Sequence, residues 1–169
     1  MCRISAQKGL ILKKYILFIF FCVLTLLWIG FIFANSAKTG IESGEASSAV
    51  VEFVESLLMR VGIEPDVSEF FIRKLAHFLE YAFLSLLICA SVRSFFISYA
   101  FLPARYPFFA LAPALSFFVA SVDEFCVQAN TVGRGPSFRD VCIDTSGALF
   151  AALLFMLAVY LIRLRKSKG

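Results

Sequence analysis

YILFIFFCVLTLLWIGFIFA, Tyr15 to Ala34, is a run of about 20 residues without a charge, and at 1.5 Å of helical rise per residue such a run crosses a hydrocarbon core of roughly 30 Å. It decides the fold because its apolar residues do not keep to one face, as they would in a helix or strand with water on one side. The rest of the chain has the same character. Of 169 residues 60% are hydrophobic and 17% charged, with Phe alone supplying 21, against roughly 45–50% apolar and 25% charged in soluble domains. A water-soluble core is therefore excluded, and lipid is the expected solvent.

Around this run the chain divides into further spans. Arg3, Lys8, Lys13 and Lys14 precede it as an n-region precedes a signal peptide, and Ala34-Asn35-Ser36 offers a loose cleavage site. The apolar stretch is longer than the 7–15 residues of such signals, so a retained anchor is expected. Asn35 to Asp66 forms an external loop in which Val50, Phe53, Val54, Leu57, Leu58 and Val61 recur at helical spacing, with Glu52, Glu55 and Arg60 on the other side. That pattern predicts a short amphipathic helix on the membrane surface or capping the bundle, ended by Gly62 and Pro65.

Asp66-Val67-Ser68-Glu69 has the form of a capping box and opens a second helix. This helix continues through Arg73, Lys74, His77 and Glu80 into an apolar stretch and ends near Arg93. Pro103 and Pro107 mark the next turn, and Pro113 is expected to bend the third helix because it lacks an amide hydrogen. Gly133, Gly135 and Pro136 read as a loop, Ser137-Phe138-Arg139-Asp140 as a second capping box, and Arg163, Arg165, Lys166 and Lys168 stop the last helix. The expected architecture is all-α and polytopic: four transmembrane helices at about residues 15–34, 75–93, 107–123 and 140–162, with an amphipathic helix in the first external loop, in one integral membrane domain over 1–169.

With both termini in the cytoplasm, the inner segments hold ten basic residues and the outer ones six, while all twelve acidic residues, Glu42 to Asp144, fall outside or in the outer halves of the helices. The positive-inside rule predicts this orientation. The net charge of +4 forms no basic stripe with interleaved aromatics, so nucleic acid is not an expected partner. The five cysteines contain no CxxC pair, and no metal site or cofactor is expected. A bridge between Cys126 and Cys142 would lie on the oxidising side.

The chemistry-bearing residues collect at one level. Arg73, His77 and Glu80 lie within about 60° of one another on a helical wheel, with Lys74 and Tyr81 flanking the same side. Asp140, Asp144, Gly147 and Ala151 also align, two carboxylates above small residues that let a neighbouring helix come close. Asp123 and Glu124 leave the third helix at that level, and Arg134 and Arg139 sit on the following loop. Together they predict a polar pocket at the outer ends of three helices. Each residue also has a plainer reading: Asp140 as a capping carboxylate, Ser137 as a cap, Arg73 and Lys74 as headgroup-seeking chains, His77 as a hydrogen-bonded interior histidine. Glu80 and Asp144 lie further inside their helices, where a lone carboxylate is costly, so each requires a partner such as Arg73, Arg139 or His77.

At these residues the chain resembles the VanZ-like family. The resemblance spans roughly Tyr15 to Ile162 and rests on Phe71-Ile-Arg-Lys-Leu-Ala-His-Phe-Leu-Glu-Tyr81, on Asp123-Glu124, and on Gly133-Arg134 through Arg139-Asp140 to Asp144-Thr-Ser-Gly147, with a weaker echo in Asn35-Ser36. After Asp123-Glu124 the family often continues with histidine and glutamine, whereas Phe125, Cys126 and Val127 precede Gln128 here, as if one residue had been added. The resemblance implies a bacterial membrane protein of a family named for an accessory of glycopeptide resistance that reduces sensitivity to teicoplanin.

Three function classes follow. One is a non-enzymatic protein whose pocket binds a lipid-linked cell-wall precursor or the glycopeptide, with membrane lipid as neighbour and Arg73, Lys74, Arg134 and Arg139 holding anionic groups. The second is an enzyme acting on an outer-leaflet lipid-linked substrate, with His77 or Glu80 as general base. The third, an ion carrier, requires polar groups reaching the inner side, where the helices offer little beyond Ser85, Ser91 and Ser116.

Overall fold

The computed structural model describes residues 2–63, 67–96 and 109–168. They form helix α1 (Cys2–Ser36), α2 (Gly40–Arg60), α3 (Glu69–Phe96), α4 (Leu111–Val122) and α5 (Phe138–Lys168), with a π turn at Asp123–Val127 and a 3-10 turn at Gln128–Asn130 between the last two. Among the described residues there is no strand, and the fold is all-α. Four segments, Tyr15–Ser36, Glu69–Phe95, Leu111–Asn130 and Phe138–Ser167, are long and apolar enough to cross a membrane.

Helix α3 is the hub and packs against α1, α2, α4 and α5. Its buried Tyr81, Leu84, Ile88 and Cys89 meet Ile32 of α1, Ala112 and Ala120 of α4, and Val141 and Ala152 of α5. Helices α3 and α5 approach closely at Gly147, where an added Cβ would stand 2.2 Å from the Phe78 carbonyl oxygen. Between helices in lipid, where burial in apolar surroundings gives little driving force, small residues that bring backbones together supply the attraction. Ala148, Ala151 and Ala152 are buried as well. Outward, Phe20, Leu27, Phe118, Leu153 and Leu161 are exposed, a belt too large and too apolar for water and suited to acyl chains.

Several local expectations change. The amphipathic helix begins near residue 40, well before the first apolar repeat at Val50, because Thr39 and Glu42 form a capping box: Glu42 N–H donates to Thr39 Oγ1 and Thr39 N–H to Glu42 Oε2. Serines and glycines in its first turns disguised it as loop. Ser47 and Val51 are buried, while Val50, Phe53, Leu57 and Val61 are exposed. Pro113 falls in the first turn of α4, where no ladder bond needs its amide, so it imposes no bend. The Ser137 amide is taken by Glu124 Oε1 at 2.8 Å and Asp140 bonds Lys74, so the expected capping box there does not form. Cys126 and Cys142 are both free and exposed. Pro65, Asp66, Pro103, Arg105 and Pro107, on which readings of turns, a cap and charge rested, lie outside the described residues.

Candidate functional site

The geometry is set by where α1 ends. Asn35 and Ser36 close the first apolar run, and both turn toward α3 and the π turn. Asn35 Nδ2 donates to Glu80 Oε1 at 2.8 Å, and Ser36 Oγ donates to Asp123 Oδ2 at 2.7 Å. Lower on α1, Trp28 Nε1 donates to the Glu80 carbonyl oxygen at 2.9 Å. Glu80 is thus held by α1 at both its backbone and its side chain. Its other oxygen, Oε2, lies 3.7 Å from His77 Nδ1, one turn earlier on α3.

Behind this pair lies a buried acidic group. Asp123, Glu124, Asp144 and Tyr81 are all at most 1% exposed, and charges so placed need partners. The 3-10 turn that follows the π turn supplies one. Gln128 Nε2 donates to Asp123 Oδ2 at 3.0 Å and to Glu124 Oε2 at 2.8 Å, a convergence that the wider π winding of Asp123–Val127 makes reachable. Gln128, which follows that turn, is buried and faces inward.

Arg134 ties the layers together from the loop. Its Nη1 donates to the Ser36 carbonyl oxygen at 3.0 Å and to Gln128 Oε1 at 3.2 Å, and its Nη2 donates to Ser43 Oγ at 2.5 Å. The left-handed φ of +77° at Gly133 permits the turn before it, and Gly133 packs on Gly40, where a Cβ would stand 2.7 Å from the Gly133 carbonyl oxygen. Burial, and next to it the charge of Arg73, lower the pKa of Arg134 from its usual value, while Asp123, Glu124 and Glu80 oppose that shift.

Between α1, α2 and α3 these residues enclose a cavity of about 160 Å³, lined by Lys38, Arg73, His77, Glu80 and Arg134 together with Asn35 and Ser43. Three cations face one carboxylate. Arg73 Nε, His77 Nδ1 and Glu80 Oε2 are buried and have no hydrogen-bond partner among the described residues, which leaves donor and acceptor capacity for a guest.

The residues singled out in the sequence take separate places. Arg73, His77, Glu80 and Arg134 line the cavity. Tyr81, Asp123, Glu124 and Asp144 are buried outside its lining, and Lys74 and Asp140 form an ion pair of 2.5 Å. Arg139 is exposed on the first turn of α5 and does not line the cavity. Lys38, Ser43 and Trp28 join the site without having stood out; Gln128, noted only in the altered family pattern, and Asn35 and Ser36, which had only echoed it, bond the acidic residues. Among the described residues no three His, Cys, Asp or Glu side chains converge to hold a metal ion.

A family model described as VanZ/LLP1 matches residues 21–160. The chain belongs to the VanZ/LLP1 family. Comparisons with curated proteins and with solved structures each gave no match. The VanZ/LLP1 match covers every side chain of the cavity, from Asn35 to Arg134, and ends within α5, ahead of the basic residues that follow Tyr160.

Proposed function

We propose that this VanZ/LLP1 protein is a multi-pass protein of the bacterial plasma membrane with both termini cytoplasmic, and that its cavity opens on the outer side and holds an anionic group of a cell-envelope component, lowering sensitivity to glycopeptides such as teicoplanin. The observation that carries this reading is Arg73: a guanidinium with an unpartnered, buried Nε beside Arg134 and Lys38 in one cavity. Guanidinium groups so placed hold phosphate or carboxylate through charge-assisted hydrogen bonds. Arg134 is oriented by its bonds to Ser36, Gln128 and Ser43, and Lys38 by its bond to Asn35. Replacing Arg73→Ala or Arg134→Ala, in cells where the protein confers a teicoplanin response, lowers that response at unchanged membrane abundance. An unaltered response in both variants refutes the reading.

A second reading is favoured by one distance. His77 Nδ1 and Glu80 Oε2, 3.7 Å apart, are not hydrogen-bonded but need only a small side-chain shift to become so, and that bond would orient the imidazole as general base in an enzyme acting on an outer-leaflet lipid-linked substrate. Purified protein incubated with envelope lipids, with products sought by mass spectrometry, separates the two: turnover lost in His77→Gln establishes the enzyme, and intact lipid retained on the protein supports binding alone.

A further inference from the structure

The polar cavity does not stand alone. Ala76 and Glu80 line it on one side and on the other line a groove of about 590 Å³ between α1 and α3, whose remaining walls are Trp28, Phe31, Leu79, Ala82, Phe83 and Leu86. Trp28, Phe31 and Phe83 in turn border a further hollow of about 200 Å³ reaching Leu24 and Leu87. Cavity and groove therefore share a wall, Ala76 and Glu80, with three cations on one side of it and aromatic rings on the other.

The walls of the groove are fixed. Trp28 stacks on Phe31 with centroids 4.8 Å apart and meets Phe83 edge-on at 4.6 Å, and its indole N–H is held by the Glu80 carbonyl oxygen. A tryptophan pinned at both its ring and its N–H keeps a groove open where a flexible side chain would fill it. Glu80 marks the seam, with its carboxylate in the polar cavity and its backbone anchoring the apolar wall.

We propose that cavity and groove form one site for a phosphate-headed lipid, the phosphate held by Arg73 and Arg134 and one hydrocarbon chain lying along Trp28, Phe31 and Phe83. This rests on the reading of the cavity as an anion site and adds the class of the ligand. A soluble anion would fill the cavity and leave the groove to any neighbouring lipid, whereas a phosphate-headed lipid uses both, and its chain is selected by its headgroup.

The chain carries a single histidine and a single tryptophan, and they are His77 in the cavity and Trp28 in the groove, so each half of the site has its own reporter. The full-length protein, purified in detergent through a histidine-free tag, is titrated with phosphatidic acid brominated on its acyl chains, with diacylglycerol bearing the same chains, and with inorganic phosphate. Diethyl pyrocarbonate modification of His77 reads the cavity; bromine quenching of Trp28 fluorescence reads the groove. The proposal predicts that phosphatidic acid protects His77 and quenches Trp28 at a mole fraction about tenfold below that needed for diacylglycerol, as charge-assisted bonds to one phosphate give. Leu79 is exposed and lines the groove but not the cavity, so Leu79→Phe narrows the groove and leaves the cavity's side chains in place. That variant loses the preference of Trp28 quenching for phosphatidic acid over diacylglycerol and keeps the protection of His77 by inorganic phosphate seen in the unaltered protein. Equal quenching by the two lipids in the unaltered protein, with His77 still protected by inorganic phosphate, overturns the lipid inference and leaves the anion cavity standing. If neither phosphate nor phosphatidic acid protects His77, both fall.

Discussion

Gly147→Ala is the substitution whose consequence the packing fixes best. An ideal Cβ at this position stands 2.2 Å from the Phe78 oxygen, 3.0 Å from its carbonyl carbon and 3.2 Å from its Cα, where ordinary contact begins at 3.4 Å. All three atoms are backbone, so no side chain can swing away, and α3 or α5 must retreat by about an ångström. Overpacking of this kind costs about 1–3 kcal/mol, equivalent to a fall of about 2–4 °C in Tm for each kcal/mol in a chain of this size. The shift also separates Lys74 on α3 from Asp140 on α5. Gly30→Ala is the matched control: it lies inside α1 with nothing within 4 Å of its Cβ, and removing a glycine from a helix interior is neutral or stabilising by up to about 1 kcal/mol. Thermal unfolding in one detergent, followed by Trp28 fluorescence, compares the two. A Gly147→Ala protein that melts with wild type and with Gly30→Ala refutes the close approach of α3 and α5.

Other outcomes follow from single contacts. Lys74 and Asp140 are about one-fifth exposed, and a double-mutant cycle of Lys74→Ala with Asp140→Ala is expected to give a coupling of about 1 kcal/mol in unfolding; a coupling near zero refutes the ion pair. The pKa of Glu42 is lowered by its hydrogen bonds with Thr39, foremost the backbone one. Its contribution to the start of α2 is therefore present above its unfolded value and lost as pH falls through the lower folded one. Amide exchange measured through that range, corrected for its intrinsic pH dependence, shows the first turn of α2 losing protection in the wild type but not in Glu42→Gln; parallel behaviour of the two contradicts the capping box.

The four spans were legible because hydrophobic length is a property of the chain alone: residues 15–34 require no partner to be read as a helix in lipid. The clustering of Arg73, His77 and Glu80 was legible too, since it follows from helical periodicity. What escaped has a common cause. Asn35, Ser36, Lys38 and Ser43 acquire meaning only when the end of α1 is brought beside α3, and no spacing along the sequence encodes that juxtaposition. Gln128 was obscured by the π turn, a winding without a periodic signature. The Ser137–Asp140 spacing suggested a cap, yet Glu124 and Lys74, distant in sequence, outbid the local partners. At Thr39–Glu42 the signal was present in four consecutive residues, and the small residues after it concealed the helix it begins.

The central claim is that Arg134 lies at the mouth of a cavity open to the outer side of the membrane. In a chain whose five cysteines are replaced by alanine, Arg134→Cys and the milder Ser43→Cys are exposed in intact cells to a membrane-impermeant maleimide. The account predicts labelling at both positions without opening the cells. Labelling that appears only after the cytoplasmic face is made accessible would contradict it.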